Sequence, residues 1–176
     1  MEKRFKYFIS IMVLVVFLSG CGYHFLPNMP EHLKTTYINV FGNTTIQFGL
    51  GSQLTNELVN ELNLDGTLKK VSKDEADSEF KGSVIQYIQT PVSFYEDKTV
   101  KEYRISVKVY VEFWDLRKQK KVWSGNLSRS ENFIVQQYAA QDLIPRSGVF
   151  YSRESAIDAI VKGLARDIVS RTVEGW

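Results

Sequence analysis

A strict alternation of apolar and polar side chains in the middle of the chain constrains the fold most. From Tyr103 to Trp114, every second residue is apolar, and most of the residues between them are polar or charged. Because successive side chains of a β-strand point to opposite faces, this pattern predicts a strand with one face in a core and the other face wet. Tyr110 and Trp114 lie on the predicted wet face, where we expect a partner to fit.

Two β-rich stretches flank this strand, from Ser78 to Thr90 and from Val122 to Phe133. The segment from Asp115 to Lys121 connects the last two strands as a tight hairpin. In the first stretch, one side of the predicted strand carries Phe80, Val84 and Ile88, and the other side carries Ile85 and Tyr87.

A shorter strand and two helices complete the predicted order of elements. The strand covers Thr36 to Phe41, and apolar residues at helical spacing predict a helix from Leu50 to Leu64. Ser152 can cap a second helix that runs through Val173. On its polar side, two acid–base pairs lie one turn apart: Asp158 with Lys162, and Asp167 with Arg171. The order β-α-β-β-β-α predicts an α+β fold, a two-layer sandwich with two helices packed on one face of a four-stranded sheet.

The N-terminus is typical of a bacterial lipoprotein signal. Lys3, Arg4 and Lys6 precede an apolar run of about 12 residues, too short to span a bilayer, and Leu18-Ser19-Gly20-Cys21 follows it. Cys21 is the only cysteine, so it makes no internal disulfide. We therefore expect removal of residues 1–20 and covalent N-acyl and S-diacylglycerol lipid on Cys21. The alternative is a short signal anchor with an incidental buried cysteine.

The mature chain is predicted to be one lipid-anchored domain. Residues 21–33 form the tether and residues 34–176 form the domain, a length sufficient for a core of its own. Cleavage lowers the 22 basic residues by three and the 20 acidic residues by one, to 19 of each. This balance argues against a nucleic-acid binder. The residue after Cys21 is Gly22 and not the aspartate that often retains bacterial lipoproteins in the inner membrane. This favours the outer membrane.

The sequence offers little catalytic chemistry. The only two histidines, His24 and His32, lie in the tether region, where we interpret them as solvent-exposed bystanders. Zinc or copper ligation therefore lacks its usual residues, and no G-x-S-x-G motif occurs. An acidic run before the second strand is interpreted as a solvated edge and comprises Asp74, Glu75, Asp77 and Glu79. We predict that the chain is not an enzyme and has neither metal nor cofactor.

Two loops combine features that suit a phosphorylated amphiphile. The loop from Pro91 to Lys101 places the aromatic residues Phe94 and Tyr95 beside Lys98 and Lys101. The connection from Gln136 to Tyr151 carries Arg146 and closes near the same end of the sheet if consecutive strands are antiparallel.

Short segments spread along the mature chain resemble the LptE family of lipopolysaccharide-assembly lipoproteins. In order, these segments are Cys21-Gly22-Tyr23-His24-Phe25, Tyr37 to Thr45, Ala76 to Val84, Glu102-Tyr103-Arg104-Ile105, Val122-Trp123-Ser124-Gly125 and the final helix ending near Glu174-Gly175-Trp176. The ordered set, together with a lipoprotein signal, carries the resemblance.

The resemblance implies a non-enzymatic role in the envelope of a Gram-negative bacterium. A lipoprotein of this family would carry palmitate among its acyl chains and lie at the periplasmic side of the outer membrane, as a plug in the lumen of the β-barrel LptD. It would help the barrel assemble and assist lipopolysaccharide insertion. It also implies lipopolysaccharide binding by basic loop residues, for which Lys98, Lys101 and Arg146 are our candidates, although Tyr95 stands where a basic residue would align. The partner-facing candidates are Phe94, Tyr95, Tyr110 and Trp114. The alternatives are a lipid-anchored periplasmic carrier or scaffold for another envelope complex, or a lipid-anchored hydrolase, which lacks a catalytic constellation here.

Overall fold

The computed structural model describes residues 29–135, 149–150 and 152–175. In chain order, its elements are β1 (Thr35–Ile38), β2 (Gly42–Asn43), α1 (Leu50–Asp65), β3 (Lys69–Lys70), a 3-10 helix (Lys73–Glu75), β4 (Ser78–Phe94), β5 (Val100–Asp115), β6 (Lys120–Ile134), β7 (Val149–Phe150) and α2 (Arg153–Glu174). Neither helix in these ranges is long and apolar enough to cross a membrane. Cys21 and Arg146 lie outside the described residues.

The predicted α+β class with two helices is confirmed, but the prediction of a four-stranded sheet in the order β-α-β-β-β-α is wrong. The described residues form a seven-stranded sheet in the order β3-β1-β4-β5-β6-β7, and β2 pairs with β4 as well. The hairpins β4–β5 and β5–β6 are antiparallel, whereas β1, β2 and β7 pair in parallel with β4 or β6. The three additional strands are β2, β3 and β7, each only two residues long, which is too short to show an alternating pattern.

Both helices pack on one face of this sheet, as predicted. They contact each other, and α2 also contacts β5 and β6 while α1 contacts β2, β3 and β4. The rings of Phe80 and Phe113 lie 4.6 Å apart at the centre of the buried face. The core includes Leu54, Leu58 and Leu62 of α1, Ile160, Leu164 and Ile168 of α2, and Val107, Val109 and Val111 of β5.

A β-bulge in β4 overturns part of the predicted side assignment. The register with β5 shifts between Val84 and Gln86, so Ile85 has no partner of its own. Beyond the bulge, Tyr87 lies opposite the buried Val107, whereas Ile88 lies opposite Ser106 on the other face. The predicted sides of both Ile88 and Tyr87 are therefore wrong, because one extra residue inverts the side chains that follow it in the strand.

Helix α2 begins as the sequence predicts. The Ser152 hydroxyl accepts a hydrogen bond from the backbone N–H of Ser155 at 3.0 Å. Lys162 pairs with Asp158 at 2.8 Å, as the spacing predicts. The other predicted pair does not form, because Asp167 accepts two hydrogen bonds from Arg129 of β6, at 2.7 and 2.8 Å. A tertiary partner thus replaces Arg171, whose guanidinium lies 5.2 Å from the centre of the Trp123 ring.

Candidate functional site

One face of the sheet carries neither helix, and its side chains come from alternate positions of three long strands. In β5 these positions run from Arg104 to Trp114, interleaved with the buried Ile105, Val107, Val109, Val111 and Phe113. Residues directly opposite each other in antiparallel strands share a face, so the register extends this helix-free face into β4 and β6. Tyr110 and Trp114 both lie on it, where the sequence predicts them.

A paired network of charged and aromatic side chains occupies one end of the helix-free face. Its members, which we call the Trp114 cluster, are Glu79, Lys81, Tyr110, Glu112, Trp114 and Lys121. The ammonium groups of Lys81 and Lys121 lie 5.5 and 5.7 Å from the centre of the Trp114 ring, on which they exert cation–π attraction. Lys81 also pairs with the buried Glu79 at 2.9 Å.

Glu112 is the acceptor at the centre of this cluster. One carboxylate oxygen accepts from the Trp114 indole at 2.9 Å, and the other accepts from the Tyr110 hydroxyl at 2.8 Å and from Lys121 at 3.1 Å. These hydrogen bonds, led by that of Trp114, lower the pKa of Glu112 from its ordinary 4.5 to about 2. Glu112 therefore stays ionised throughout the neutral and mildly acidic range. Its place two residues from both Tyr110 and Trp114 is a signal that the sequence analysis left unused.

The middle of the helix-free face is a stripe of small polar side chains around one lysine. Alternate residues of β6 supply Ser124, Asn126, Ser128, Ser130 and Asn132. The hydroxyls of Ser106 and Ser130 bond at 2.7 Å, and Arg104 donates to Asn132 at 2.9 Å. Lys108 lies between Ser128 and Gln86 and makes no ion pair with any residue in the described ranges. This polar stripe contains no carboxylate, and its side chains can form hydrogen bonds with water or a hydrated ligand.

Two of the three predicted lipopolysaccharide-binding residues, Lys98 and Lys101, lie at the opposite end, in and beside the turn between β4 and β5, whereas Arg146 lies outside the described residues. Tyr95 and Thr99 close the turn through a backbone hydrogen bond of 2.9 Å, and Lys98 adopts a positive φ of 65° within it. The Lys101 ammonium lies 5.1 Å from the centre of the Tyr95 ring. Phe94 is 57% exposed. The structure thus brings Phe94, Tyr95, Lys98 and Lys101 together at one tip.

The two groups of candidate residues are far apart. Lys101 and Trp114 lie near opposite ends of β5, a separation of about 40 Å at about 3.3 Å per residue. Phe94 and Tyr95 therefore do not share a surface with Tyr110 and Trp114. A partner or ligand that contacts both groups must extend along the whole length of the sheet.

Two carboxylates bind residues 32–35, where the predicted tether meets the predicted domain. Asp77 accepts from the backbone N–H groups of Lys34 and Thr35, at 3.3 and 3.2 Å, and from Arg117 at 2.6 Å. His32 bonds to Asp115 at 2.7 Å. Burial alone would raise the pKa of Asp77, but the hydrogen bonds from Thr35 and Arg117 outweigh it and lower that pKa.

These contacts correct two interpretations made from the sequence. Asp77 and Glu79 are 7% and 2% exposed, so this part of the acidic run is not a solvated edge. The His32 side chain is only 23% exposed and is ion-paired or hydrogen-bonded, so it is not a bystander. Within the described ranges, no three His, Cys, Asp or Glu residues are grouped so that they could hold a metal ion.

Comparison with known families gives a match over most of the chain. The model of the family LptE, described as lipopolysaccharide-assembly, matches residues 33–172. No curated protein matches the chain.

Solved structures share the fold at low sequence identity. Protein CT253 from Chlamydia trachomatis is 15% identical with a TM-score of 0.54, and the match covers 81% of this chain and 96% of that one. Lipoprotein B from Nitrosomonas europaea is 16% identical with a TM-score of 0.52, covering 88% and 90%. The PelC dodecamer from Paraburkholderia phytofirmans is also 16% identical, with a TM-score of 0.51 and coverage of 80% and 89%. These likenesses show a common fold.

Proposed function

Because the chain belongs to the LptE family of lipopolysaccharide-assembly proteins, we propose that it plugs an LptD-type β-barrel and assists insertion of lipopolysaccharide into the outer leaflet. In this proposal the protein is a lipoprotein of the Gram-negative outer membrane. The signal peptide is residues 1–20, and acyl chains on Cys21, palmitate among them, anchor the mature chain at the periplasmic side. The role is non-enzymatic.

The observation that carries the proposal is the polar, helix-free face of the sheet. Large barrels have polar, water-facing interiors, so a plug needs a surface that tolerates both water and polar barrel side chains. The charges of the Trp114 cluster are matched within the cluster, and the Ser and Asn stripe of β6 is uncharged. The Trp114 cluster can therefore enter a lumen without leaving an isolated charge, which is costly when water is excluded, and Lys108 is the cation of the stripe that polar barrel groups or water would have to meet.

The tip between β4 and β5 supports direct lipopolysaccharide binding. Lys98 and Lys101 supply cations for phosphate groups, and Phe94 and Tyr95 supply apolar surface beside them. Arg146 completes the proposed set. Because the tether enters at the other end of the sheet, this tip points away from the point where the anchored chain joins the domain.

Affinity purification of the full-length lipoprotein from detergent-solubilised envelopes tests the partner. We expect a large β-barrel of the LptD kind at about one copy per lipoprotein, identified by mass spectrometry. Recovery of other envelope proteins without a barrel would refute the plug and favour the carrier or scaffold alternative.

A lipopolysaccharide-binding assay tests the tip separately. The triple variant Lys98→Ala, Lys101→Ala, Arg146→Ala should lose at least tenfold in affinity, because each lost cation removes a phosphate contact. A matched control removes the same charge at the other end of the sheet, where Lys69, Lys70 and Lys73 are all exposed. Full affinity in the first variant, or equal losses in both, would refute the assignment of the tip.

A further inference from the structure

One edge of β4 changes its surroundings halfway along the strand. Near its start, this edge pairs with β1 at Ser78–Phe80 and with β2 at Ser83–Val84. The last backbone hydrogen bond runs from the N–H of Thr44 to the carbonyl oxygen of Val84, at 3.0 Å. Beyond Val84, no strand within the described ranges pairs with this edge, although the opposite edge stays paired with β5. Among the described residues, the outward backbone groups from Ile85 onward have no strand partner and can pair with another chain.

This edge lacks the charges that usually protect an open strand. No charged residue occurs between Lys81 and Glu96. The outer edge of β6, which pairs with β7 only at Asn132 and Phe133, is different because that strand carries Lys120, Lys121, Arg129 and Glu131. Charged side chains discourage pairing between molecules, and a neutral edge permits it. Pro91 lacks a backbone N–H, so the edge able to pair without interruption is Ile85–Thr90.

Side chains along Ile85–Thr90 are exposed on one face of the strand and contact Arg153 on the other. Ile85 and Ile88 are each 41% exposed. On the helix side, Arg153 donates to the Tyr87 hydroxyl at 3.2 Å and to Gln89 at 3.3 Å, and its guanidinium lies 5.7 Å from the centre of the Tyr87 ring. The strand is thus held in extended form before any partner arrives, which lowers the entropy lost on docking.

We propose that the Ile85–Thr90 edge docks an extended, uncharged segment of the barrel-forming partner, which adds to the sheet as a further strand. This inference rests on the proposed function. Only another extended backbone offers donors and acceptors that match an open strand edge. The contacts of its alternate side chains then determine which sequences bind. An uncharged edge cannot neutralise a charged strand, so the occupant is neutral. Because a barrel lumen that holds one plug contains a single copy of this chain, the docked strand does not come from a second copy.

Hydrogen exchange of the full-length lipoprotein, alone and in its purified barrel complex, tests backbone pairing directly. The outward amides of Ile85–Thr90 should exchange at least tenfold more slowly in the complex, because they gain hydrogen bonds. The segment 124–130 of β6, which β5 separates from β4, is the internal reference. Protection of Ile85–Thr90 in the isolated protein that grows with its concentration would overturn the choice of occupant in favour of a second copy.

Charge placed on the edge gives an independent test. The variant Ile88→Lys with Thr90→Lys should lower recovery of the barrel about tenfold, and its melting should stay close to that of the wild type because both positions are exposed. Asn56→Lys with Asn63→Lys adds the same two cations on the exposed side of α1, away from the helix-free face, and should keep recovery within twofold. Recovery of the barrel with unchanged exchange at Ile85–Thr90, or equal recovery with both variants, would overturn the edge but leave the proposed function standing. Absence of any barrel would overturn both.

Discussion

Replacement of Glu112 by Gln tests the electrostatics of the Trp114 cluster. The carboxylate accepts three hydrogen bonds from Trp114, Tyr110 and Lys121. Glu112→Gln keeps the size but replaces one acceptor oxygen by a donor NH₂ group, which must face an existing donor. The difference between a pKa of 4.5 and about 2 corresponds to about 3 kcal/mol at neutral pH. Since the side chain is 21% exposed and partly screened by water, we expect a loss of about 1–2 kcal/mol.

The pH dependence of this loss has a defined sign. The pKa of Glu112 is lower in the folded than in the unfolded chain, so ionisation stabilises the fold. The contribution is fully present above the unfolded pKa of 4.5 and disappears as the pH falls through about 2. The linkage relation predicts that the difference between the wild type and Glu112→Gln is more than halved between pH 5 and about pH 3.

Urea denaturation at pH 7, 5 and 3, followed by tryptophan fluorescence, measures this difference in a soluble Cys21→Ser background. Glu96→Gln is a suitable control because Glu96 is exposed in the turn between β4 and β5. The control should stay within about 0.5 kcal/mol of the wild type at each pH. If Glu112→Gln is as stable as the wild type at pH 7, or if its deficit is the same at pH 3, the argument about the Trp114 cluster fails.

Three further substitutions probe contacts that hold the sheet together. Asp77→Asn should lower the free energy of unfolding by about 2–4 kcal/mol in urea denaturation, because a buried carboxylate loses charged hydrogen bonds to Arg117 and two backbone groups; a loss below about 0.5 kcal/mol would contradict this. Gly82→Ala should lower the melting temperature by several degrees in circular dichroism, because the new Cβ would lie 2.4 Å from the Phe41 ring and 2.6 Å from the backbone oxygen of Tyr110. An unchanged melting curve would contradict this and show that the Phe41 ring moves aside at no cost. Arg129→Ala should cost only about 0.5–1 kcal/mol in the same urea assay, since its pair with Asp167 is partly exposed, and a loss above 2 kcal/mol would mean that this pair is worth more than surface pairs generally are.

The long elements could be predicted because each of them repeats its pattern many times. Strand β5 shows six apolar residues at alternate positions, and α2 shows its stripe over several turns after a serine cap. The strands β2, β3 and β7 have two residues each and exist only because a longer neighbour offers an open edge. Their pairing depends on tertiary contacts, which no local window of sequence contains.

The bulge and the buried acids were missed for a related physical reason. The segment around Ile85 alternates plausibly on either side of the extra residue, so the inversion that brings Tyr87 to the core is invisible without the β5 register. Asp77 stands in an acidic run that looks solvated, yet its partners Lys34 and Thr35 lie more than 40 residues away. The Trp114 cluster, by contrast, was within reach of the sequence, since Tyr110, Glu112 and Trp114 share a face by spacing alone.

Polar groups whose hydrogen bonds are made within the chain lie at one end of the sheet, and the edge proposed to dock a partner lies toward the other end. At the tether end, the Trp114 cluster and Asp77 meet their hydrogen-bonding needs within the chain, so their stabilisation does not wait for a partner. At the other end, β4 extends beyond the strands that pair with its outer edge within the described ranges, and this part of β4 has no charged residue and an exposed Phe94. The helices bury one face regardless of what meets the other. The tether end is therefore stabilised by contacts within the domain, and we propose that the outer half of β4 and its tip contact the partner.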